Sequence, residues 1–482
     1  MRIGSVALAA LMTASCASVN QELLEAQLPD TPSAWTADEG VVGAPTGDWV
    51  AAFDDTTLRS LISEAMVHNN DLLAAAANLE QARAGARITL ANQLPTIGAN
   101  FNAQRNAIVT DPTTAAQAGG SAGSGSTRLY INNFSLGGQL NWELDIWGRL
   151  TDETRASYKE AKAAYADLAG AHLSIAGRVA QAWFSLIEAR QQRELAERDT
   201  EARERNLRVT ERRYERGVSS SLDVRLSRSA LGSSRANLAL RQRLELEASR
   251  ALEVLLGRYP AAELEAAAAL PDLPPLAGAG APGDILSRRP DLVAAEARME
   301  AAGLQARAAR KQFLPQLTLS SRAGTSGPDF ADLVDPQRLA GNIAGGLFQP
   351  LFQGGRILAN SKRARAAAEA SLYNYVQTVL AAYQEAENAI AAETLLAARE
   401  EALRLAYEEA AAAEDLTERR YSSGAATIFN LLDAQTRRIS AESSYIQAQQ
   451  QRVSNRVQLY LAIGGDFLTE ERLAALQADT GE

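Results

Sequence analysis

YINNFSLGGQLNWELDI, residues 130–146, alternates apolar and polar side chains. Tyr130, Phe134, Leu136, Leu140, Trp142, Leu144 and Ile146 take one parity, and Asn133, Ser135, Gln139, Asn141, Glu143 and Asp145 take the other. Successive side chains of a strand point to opposite faces, so this is one long strand with an apolar and a polar face. Ile97, Phe101 and Ala103 alternate in the same way with Asn100, Asn102 and Gln104. Leu317, Leu319 and Ser321 alternate with Thr318, Ser320 and Arg322, whereas the glycine-rich stretch from Ile343 to Phe352 alternates poorly. Strands are expected near 94–108, 129–146, 314–326 and 340–353. Two readings fit them: a sheet with one face on a soluble core, or a membrane β-barrel with an apolar outside and a polar lumen.

Around these strands the chain repeats itself. Asp71-Leu72 returns as Asp291-Leu292 and Leu94-Pro95 as Leu314-Pro315, at an offset of 220. Arg149, Tyr214, Gly217 and Gly257 return as Arg356, Tyr421, Gly424 and Gly464, at an offset of 207. The first copy therefore holds 13 extra residues (220 − 207), most simply in the Gly/Ser/Thr-rich stretch from Thr110 to Thr127. Each copy reads as a helix, two strands and two long helices, a pseudo-symmetric subunit suited to a ring.

The helices are long. One is expected from Thr57 to Gln93. From Arg356 to Ser423 there is neither Gly nor Pro, a rod of roughly 100 Å at about 1.5 Å per residue. Tyr373, Val376, Leu380, Tyr383 and Ile390 step by heptad spacing, the pattern of a coiled-coil seam. Tyr214 to Gly217 and Tyr421 to Gly424 read as turns from which a second helix returns. The expected organisation is a signal peptide at 1–15, an extended segment at 16–56 lying on another surface, a first repeat at 57–257, a Pro/Ala/Gly linker at 258–283, a second repeat at 284–464 and a tail at 465–482.

A net charge of −10 argues against nucleic acid as a partner. Two histidines and one cysteine exclude most metal sites and cysteine-based catalysis. The carboxylates lie on helical faces, no catalytic constellation is evident, and the expectation is a protein that is not an enzyme. Met1-Arg2 followed by the apolar run from Val6 to Met12 reads as a secretory signal, too short to span a bilayer. It ends Thr13-Ala14-Ser15-Cys16, which resembles a bacterial lipobox with Thr13 in place of the preferred Leu. Cys16 is thus the candidate lipidation site, the covalent lipid being the only attached group expected, and Ala17 resembles outer-membrane sorting.

No segment after the signal reads as a transmembrane helix. A chain that crosses a bilayer without one must do so as a closed barrel. Four strands per chain are too few, and a barrel of eight is filled by side chains, whereas twelve from three chains leave a pore.

The chain resembles the outer membrane factors, the TolC-like channels, and in particular their lipoprotein branch with OprM-like and NodT-like members. The marks are Trp49, Phe53 and Leu58; Asn70-Asp71-Leu72; Trp147-Gly148-Arg149; Arg289-Pro290-Asp291-Leu292-Val293-Ala294-Ala295-Glu296; Gly354-Gly355-Arg356; Tyr421-Ser422-Ser423-Gly424; and Leu432-Asp433-Ala434-Gln435. The resemblance implies an α+β membrane protein: a homotrimeric twelve-stranded barrel on a long α-helical coiled-coil tunnel. It also implies outer-membrane lipid around the barrel, a periplasmic adaptor, an inner-membrane pump of the RND type, and export of small molecules. Another reading is a lipid-anchored periplasmic coiled-coil scaffold or adaptor without channel activity, and a third is a secreted helical enzyme.

By the same resemblance the helix-turn tip is a periplasmic constriction. Phe429 and Asp433, four residues apart, share one side of the returning helix, and the family places them in the lumen. Asn430 stands where some relatives carry a second acidic ring, and Ala426 where they carry a latch arginine. Tyr421 and Asp223 match a latch pair between the repeats, expected to share a hydrogen bond. His68 and His172 read as ordinary helix residues.

Overall fold

A computed structural model describes residues 32–37, 49–110, 127–274 and 280–465. Cys16 and the candidate signal lie outside the described residues, as does the loop 111–126. The order is α1 (Thr56–His68), α2 (Asn70–Ala91), β1 (Thr96–Thr110), β2 (Thr127–Leu144), α3 (Arg149–Glu215) and α4 (Ser221–Leu255). The second half repeats it: α5 (Ile285–Arg288), α6 (Pro290–Lys311), β3 (Gln316–Gly327), β4 (Ala340–Phe348), α7 (Arg356–Ser422) and α8 (Ile428–Ala462). α3 and α7 are each 67 residues long, and α4 and α8 each 35. The chain divides into two compact units, a sheet unit (81–161 and 298–372 among its residues) and a helical unit (24–80, 162–297 and 373–482).

In the sheet unit the four strands run antiparallel in the order β1-β2-β3-β4. The register pairs Phe101 with Leu136, Leu136 with Thr325 and Leu317 with Leu347. Cross-strand partners share a face. One face therefore collects Ile97, Phe101, Phe134, Leu136, Leu140, Trp142, Leu319, Ile343 and Leu347. The other collects Asn100, Asn102, Gln139, Asn141, Thr318, Ser320, Arg322 and Asn342. The apolar face is open, with Ile97 79% exposed and Ile343 78%. The repeat also tethers the lower end of the sheet: Trp142 Nε1 donates to the Gln93 carbonyl at 2.8 Å, and Gln349 Nε2 to the Phe313 carbonyl at 2.9 Å. Residue 142 corresponds to 349 at offset 207, and 93 to 313 at offset 220.

In the helical unit the core is built around Trp183, Phe184, Ile187, Leu195, Leu252 and Leu256. The described part of the N-terminal segment packs on this same unit. Trp49 stacks on Tyr460 with centroids 6.1 Å apart, Phe53 meets Phe184 at 5.4 Å, and Trp35 donates to the Gly280 carbonyl at 2.9 Å.

Two expectations need correction. The single helix expected over Thr57 to Gln93 is two helices broken at Asn69, whose backbone is extended (φ −69°, ψ 123°). Its side chain accepts from the amides of Asp71 and Leu72 and donates to the Leu255 carbonyl at 2.7 Å. In the second copy Arg289 takes this place, extended because Pro290 follows it. Arg289 donates to the Ala462 carbonyl at 3.2 Å, the counterpart of Leu255. Gly257 (φ +74°) closes the first junction, where a Cβ would lie 2.4 Å from the His68 carbonyl oxygen.

Within the single chain the buried stripe of α7 lies one residue before the expected heptad, whose Val376, Tyr383 and Ile390 are half-buried. The buried positions are Tyr375, Val379, Ala382, Ala386, Ala389 and Glu393, and Tyr373 and Leu380 are exposed. Alanines make the seam because they let neighbouring backbones approach closely, and an apolar pattern weighted by side-chain size passes over them.

Candidate functional site

The candidate site is the pair of helix turns in the helical unit, α3 to α4 and α7 to α8. Each turn has a left-handed glycine, Gly217 or Gly424. After each turn a hydroxyl residue caps the returning helix. Ser220 accepts from the Asp223 amide at 3.2 Å, while the Asp223 carboxylate accepts from the Ser220 amide at 2.9 Å and the Ser219 hydroxyl at 2.8 Å. Thr427 and Asn430 repeat this box, with the Asn430 side chain accepting from the Thr427 amide at 3.2 Å. Such a box satisfies amides that the first turn of a helix leaves without partners. The Ser220 amide, above all, and the Ser219 hydroxyl hold the Asp223 carboxyl below its ordinary range, against slight burial.

The expected latch bond between Tyr421 and Asp223 is not formed within the chain. Tyr421 is buried among Ile428, Leu431, Leu226, Ala426 and Leu432. Its hydroxyl lies 3.1 Å from that of Thr210, and Ser227 donates to Thr210 at 3.4 Å. Arg213 sits 4.6 Å above the Tyr421 ring and donates to the carbonyls of Tyr421 (3.2 Å) and Ser422 (2.9 Å). At the tip the two repeats are thus joined by Tyr421, Thr210 and Arg213. Asp223 is consumed by its own cap, because a carboxylate at the third position of a helix is drawn back to the preceding amide. Asn430 is likewise turned into its cap. Ala426, where relatives carry a latch arginine, is part of the apolar packing.

Phe429 is 68% exposed, and its counterpart Leu222 is 62% exposed. Asp433 forms an ion pair with Arg437 one turn on, at 2.9 Å. The tip thus presents a free aromatic ring and a carboxylate with its own counter-charge. His68 and His172 sit within helices, as the sequence indicates.

Beside the tip, α3 carries a polar seam that sequence reading missed. Gln192, Asp199, Arg203, Asn206 and Thr210 are all buried. Ser443 donates to Gln192 at 2.8 Å, Arg203 to Asp199 at 2.8 Å, and Asn206 to Gln435 at 3.2 Å. Burial pushes the Asp199 carboxyl up and Arg203 opposes it. The signal was present as heptad steps of 7, 4, 3 and 4, but a search for apolar residues cannot find a polar seam. Among the described residues no helix is long and apolar enough to cross a membrane.

This arrangement of two repeats, each with two strands and a long helical hairpin, can be set against known proteins. The profile of the family described as "Outer membrane efflux protein" matches residues 61–258 and 281–465. The chain belongs to this family. The gap between the matched stretches falls in the linker. Similar relatives include the pyoverdine export outer membrane protein OpmQ of Pseudomonas aeruginosa, 30% identical with 88% of each chain covered. The toluene efflux pump outer membrane protein TtgC of Pseudomonas putida is 31% identical, with 94% of this chain and 92% of that one covered. The crystal structure of the outer membrane protein VceC from Vibrio cholerae superposes with a TM-score of 0.78 at 26% identity, covering 88% of this chain and 100% of that one. The protein is an outer membrane efflux protein with the family's fold, and the family's members are channels rather than enzymes.

Proposed function

We propose that three copies of the chain form the outer membrane channel of a tripartite efflux system, exporting small molecules that reach it through a periplasmic adaptor and an inner-membrane pump of the RND type. The observation that carries this reading is the sheet, which has four strands, one apolar face, one polar face and free edges at β1 and β4. A free strand edge is untenable in hydrocarbon. Pairing β4 of one copy with β1 of the next, three times, closes twelve strands with the polar face inward, wide enough for a pore. In this reading Cys16 carries the lipid anchor, and the tip residues Phe429 and Asp433 face the lumen and narrow it. Pyoverdine and toluene are named for the relatives, which makes small molecules the class of cargo proposed here.

Conductance tests the proposal. Purified full-length protein in planar bilayers should form channels, and its mass in detergent should be that of three chains. A stable monomer without conductance overturns the reading and returns the scaffold.

A further inference from the structure

The run of large apolar side chains on the sheet's apolar face ends at a definite height, and above it the same face carries two arginines beside Ala107, Val109 and Tyr130. Taking the apolar face as lipid-facing rests on the barrel reading above. Ten residues separate Leu144 from Phe134 along β2. At about 3.3 Å per residue and a tilt of about 40° they rise roughly 25 Å, the height of an outer-membrane apolar band. An aromatic cluster marks the upper limit. Phe330, in the turn after β3, meets Phe101 edge-on at 6.3 Å and Phe134 at 6.0 Å. The Thr325 hydroxyl fastens that turn by donating to the Leu333 carbonyl at 2.6 Å.

The β1–β2 hairpin continues above this cluster, and the character of its outer face changes. The register Arg105–Asn132, Ala107–Tyr130 and Val109–Arg128 puts Arg105, Asn132, Tyr130 and Arg128 on the face that carries Phe101 and Phe134 below. The Arg105 guanidinium lies 4.7 Å from the centre of the Tyr130 ring. Neither Arg105 nor Arg128 has a carboxylate partner among the described residues. Of the acids in the turn after β3, Asp332 and Asp335 pair with Arg338 at 3.1 and 3.7 Å. Arginine on a lipid-facing surface lays its stem along apolar neighbours and lifts its head to the headgroup layer. Its planar fork suits phosphate oxygens. Arg128 stands four residues from Asn132, the cross-strand partner of Arg105, roughly 13 Å at about 3.3 Å per residue. That leaves two phosphate positions side by side.

We infer that Arg105 and Arg128, with Tyr130 between them, form an outward-facing site for a diphosphorylated lipid of the outer leaflet. Charge complementarity and height in the bilayer select this occupant over a neutral lipid. The test uses the full-length protein in neutral detergent, titrated with diphosphoryl lipid A or with phosphatidylcholine and read by native mass spectrometry. Wild type should bind lipid A about tenfold more tightly than Arg105→Gln/Arg128→Gln, each lost charged hydrogen bond contributing part of that factor. It should show no preference between the two proteins with phosphatidylcholine. Arg105→Lys/Arg128→Lys, which keeps the charges and loses the planar forks, should fall between wild type and the Gln variant, and Arg322→Gln, on the polar face, should match wild type. Equal lipid A affinity for wild type and the Gln variant overturns the site, as does equal affinity of wild type for the two lipids. Urea-resistant insertion into phosphatidylcholine vesicles is measured in parallel. Insertion without discrimination sinks this inference alone, and no insertion of wild type sinks the barrel with it.

Discussion

Asp223 and Asn430, 207 residues apart, make the same contact in the two repeats. Each is the third residue of a returning helix, and each accepts from the amide of its own N-cap, Ser220 or Thr427. One residue matched a latch and the other a constriction, yet both spend their side chains on capping. At the tip Tyr421 bonds across the repeats to Thr210 instead. A double-mutant cycle separates the alternatives. Tyr421→Phe with Thr210→Val should show a coupling of about 1 kcal/mol in unfolding free energy, the net value of a buried hydrogen bond. Tyr421→Phe with Asp223→Ala should be additive. Coupling in the second cycle and none in the first would restore the latch pair.

The same comparison predicts a pH effect. The carboxyl of Asp223 is held low by the Ser220 amide first and by the Ser219 hydroxyl. A carboxylate with a lowered folded pKa stabilises at pH above its unfolded value of about 3.9, and the contribution is lost as pH falls through the folded value. Asp223→Asn, the residue found at 430, should keep an acceptor for the cap and flatten the loss of stability below about pH 4. Urea unfolding between pH 3 and pH 7 reads it; unchanged acid sensitivity would show that the cap does not titrate.

The breaks at Asn69 and Arg289 carry a prediction of their own. Asn69→Ala removes two caps from α2 and leaves the Leu255 carbonyl without its donor. It should cost about 1–3 kcal/mol. Gly257→Ala should cost more, because a Cβ there meets the His68 carbonyl at 2.4 Å on a left-handed backbone. Thermal unfolding of the two variants tests the ranking, and a smaller loss for Gly257→Ala would contradict the geometry.

Most of the fold was legible because it is periodic and said twice. The period of two in β2 gave both faces of the sheet, and the offsets of 220 and 207 located every long helix. The misses share one cause, that local pattern does not report close approach. Asn69 looks like any polar helix residue until the Leu255 carbonyl is beside it. Ala382, Ala386 and Ala389 form the seam of α7 because they are small, while the larger Tyr373 and Leu380 lie outside it. At the tip the expected pairing of Tyr421 with Asp223 is replaced within the chain by Tyr421 with Thr210. Asp223 has a choice between a partner across the repeat and the amide three residues back, and within the chain the nearer one wins. Arg213 was overlooked because one arginine among many on α3 carries no mark until it lies over Tyr421.

If Cys16 is the lipidated N-terminus, a clickable fatty-acid analogue should label wild type and spare Cys16→Ser. Export should persist in the variant, since a closed barrel holds the protein in the membrane without an acyl chain. Equal labelling of both proteins would place the lipid elsewhere or nowhere.

In the proposed channel the helix-turn tip is the gate. Phe429 is exposed in the single chain, and in that reading its ring meets its symmetry mates. Phe429→Ala should widen the closed state, raising single-channel conductance and the sensitivity of cells to large antibiotics. Asp433 shares its charge with Arg437 one turn away, so the collar of the gate proposed above is partly neutralised from within its own helix. Two substitutions should then act in opposite directions. Asp433→Asn removes the negative charge at constant size and should lower the preference for cations. Arg437→Gln removes the counter-charge and should raise it. Reversal potentials in a salt gradient measure both. If the two variants shift selectivity the same way, or neither shifts it, the carboxylate does not face the permeation path, and the gate lies elsewhere even in a channel of this architecture.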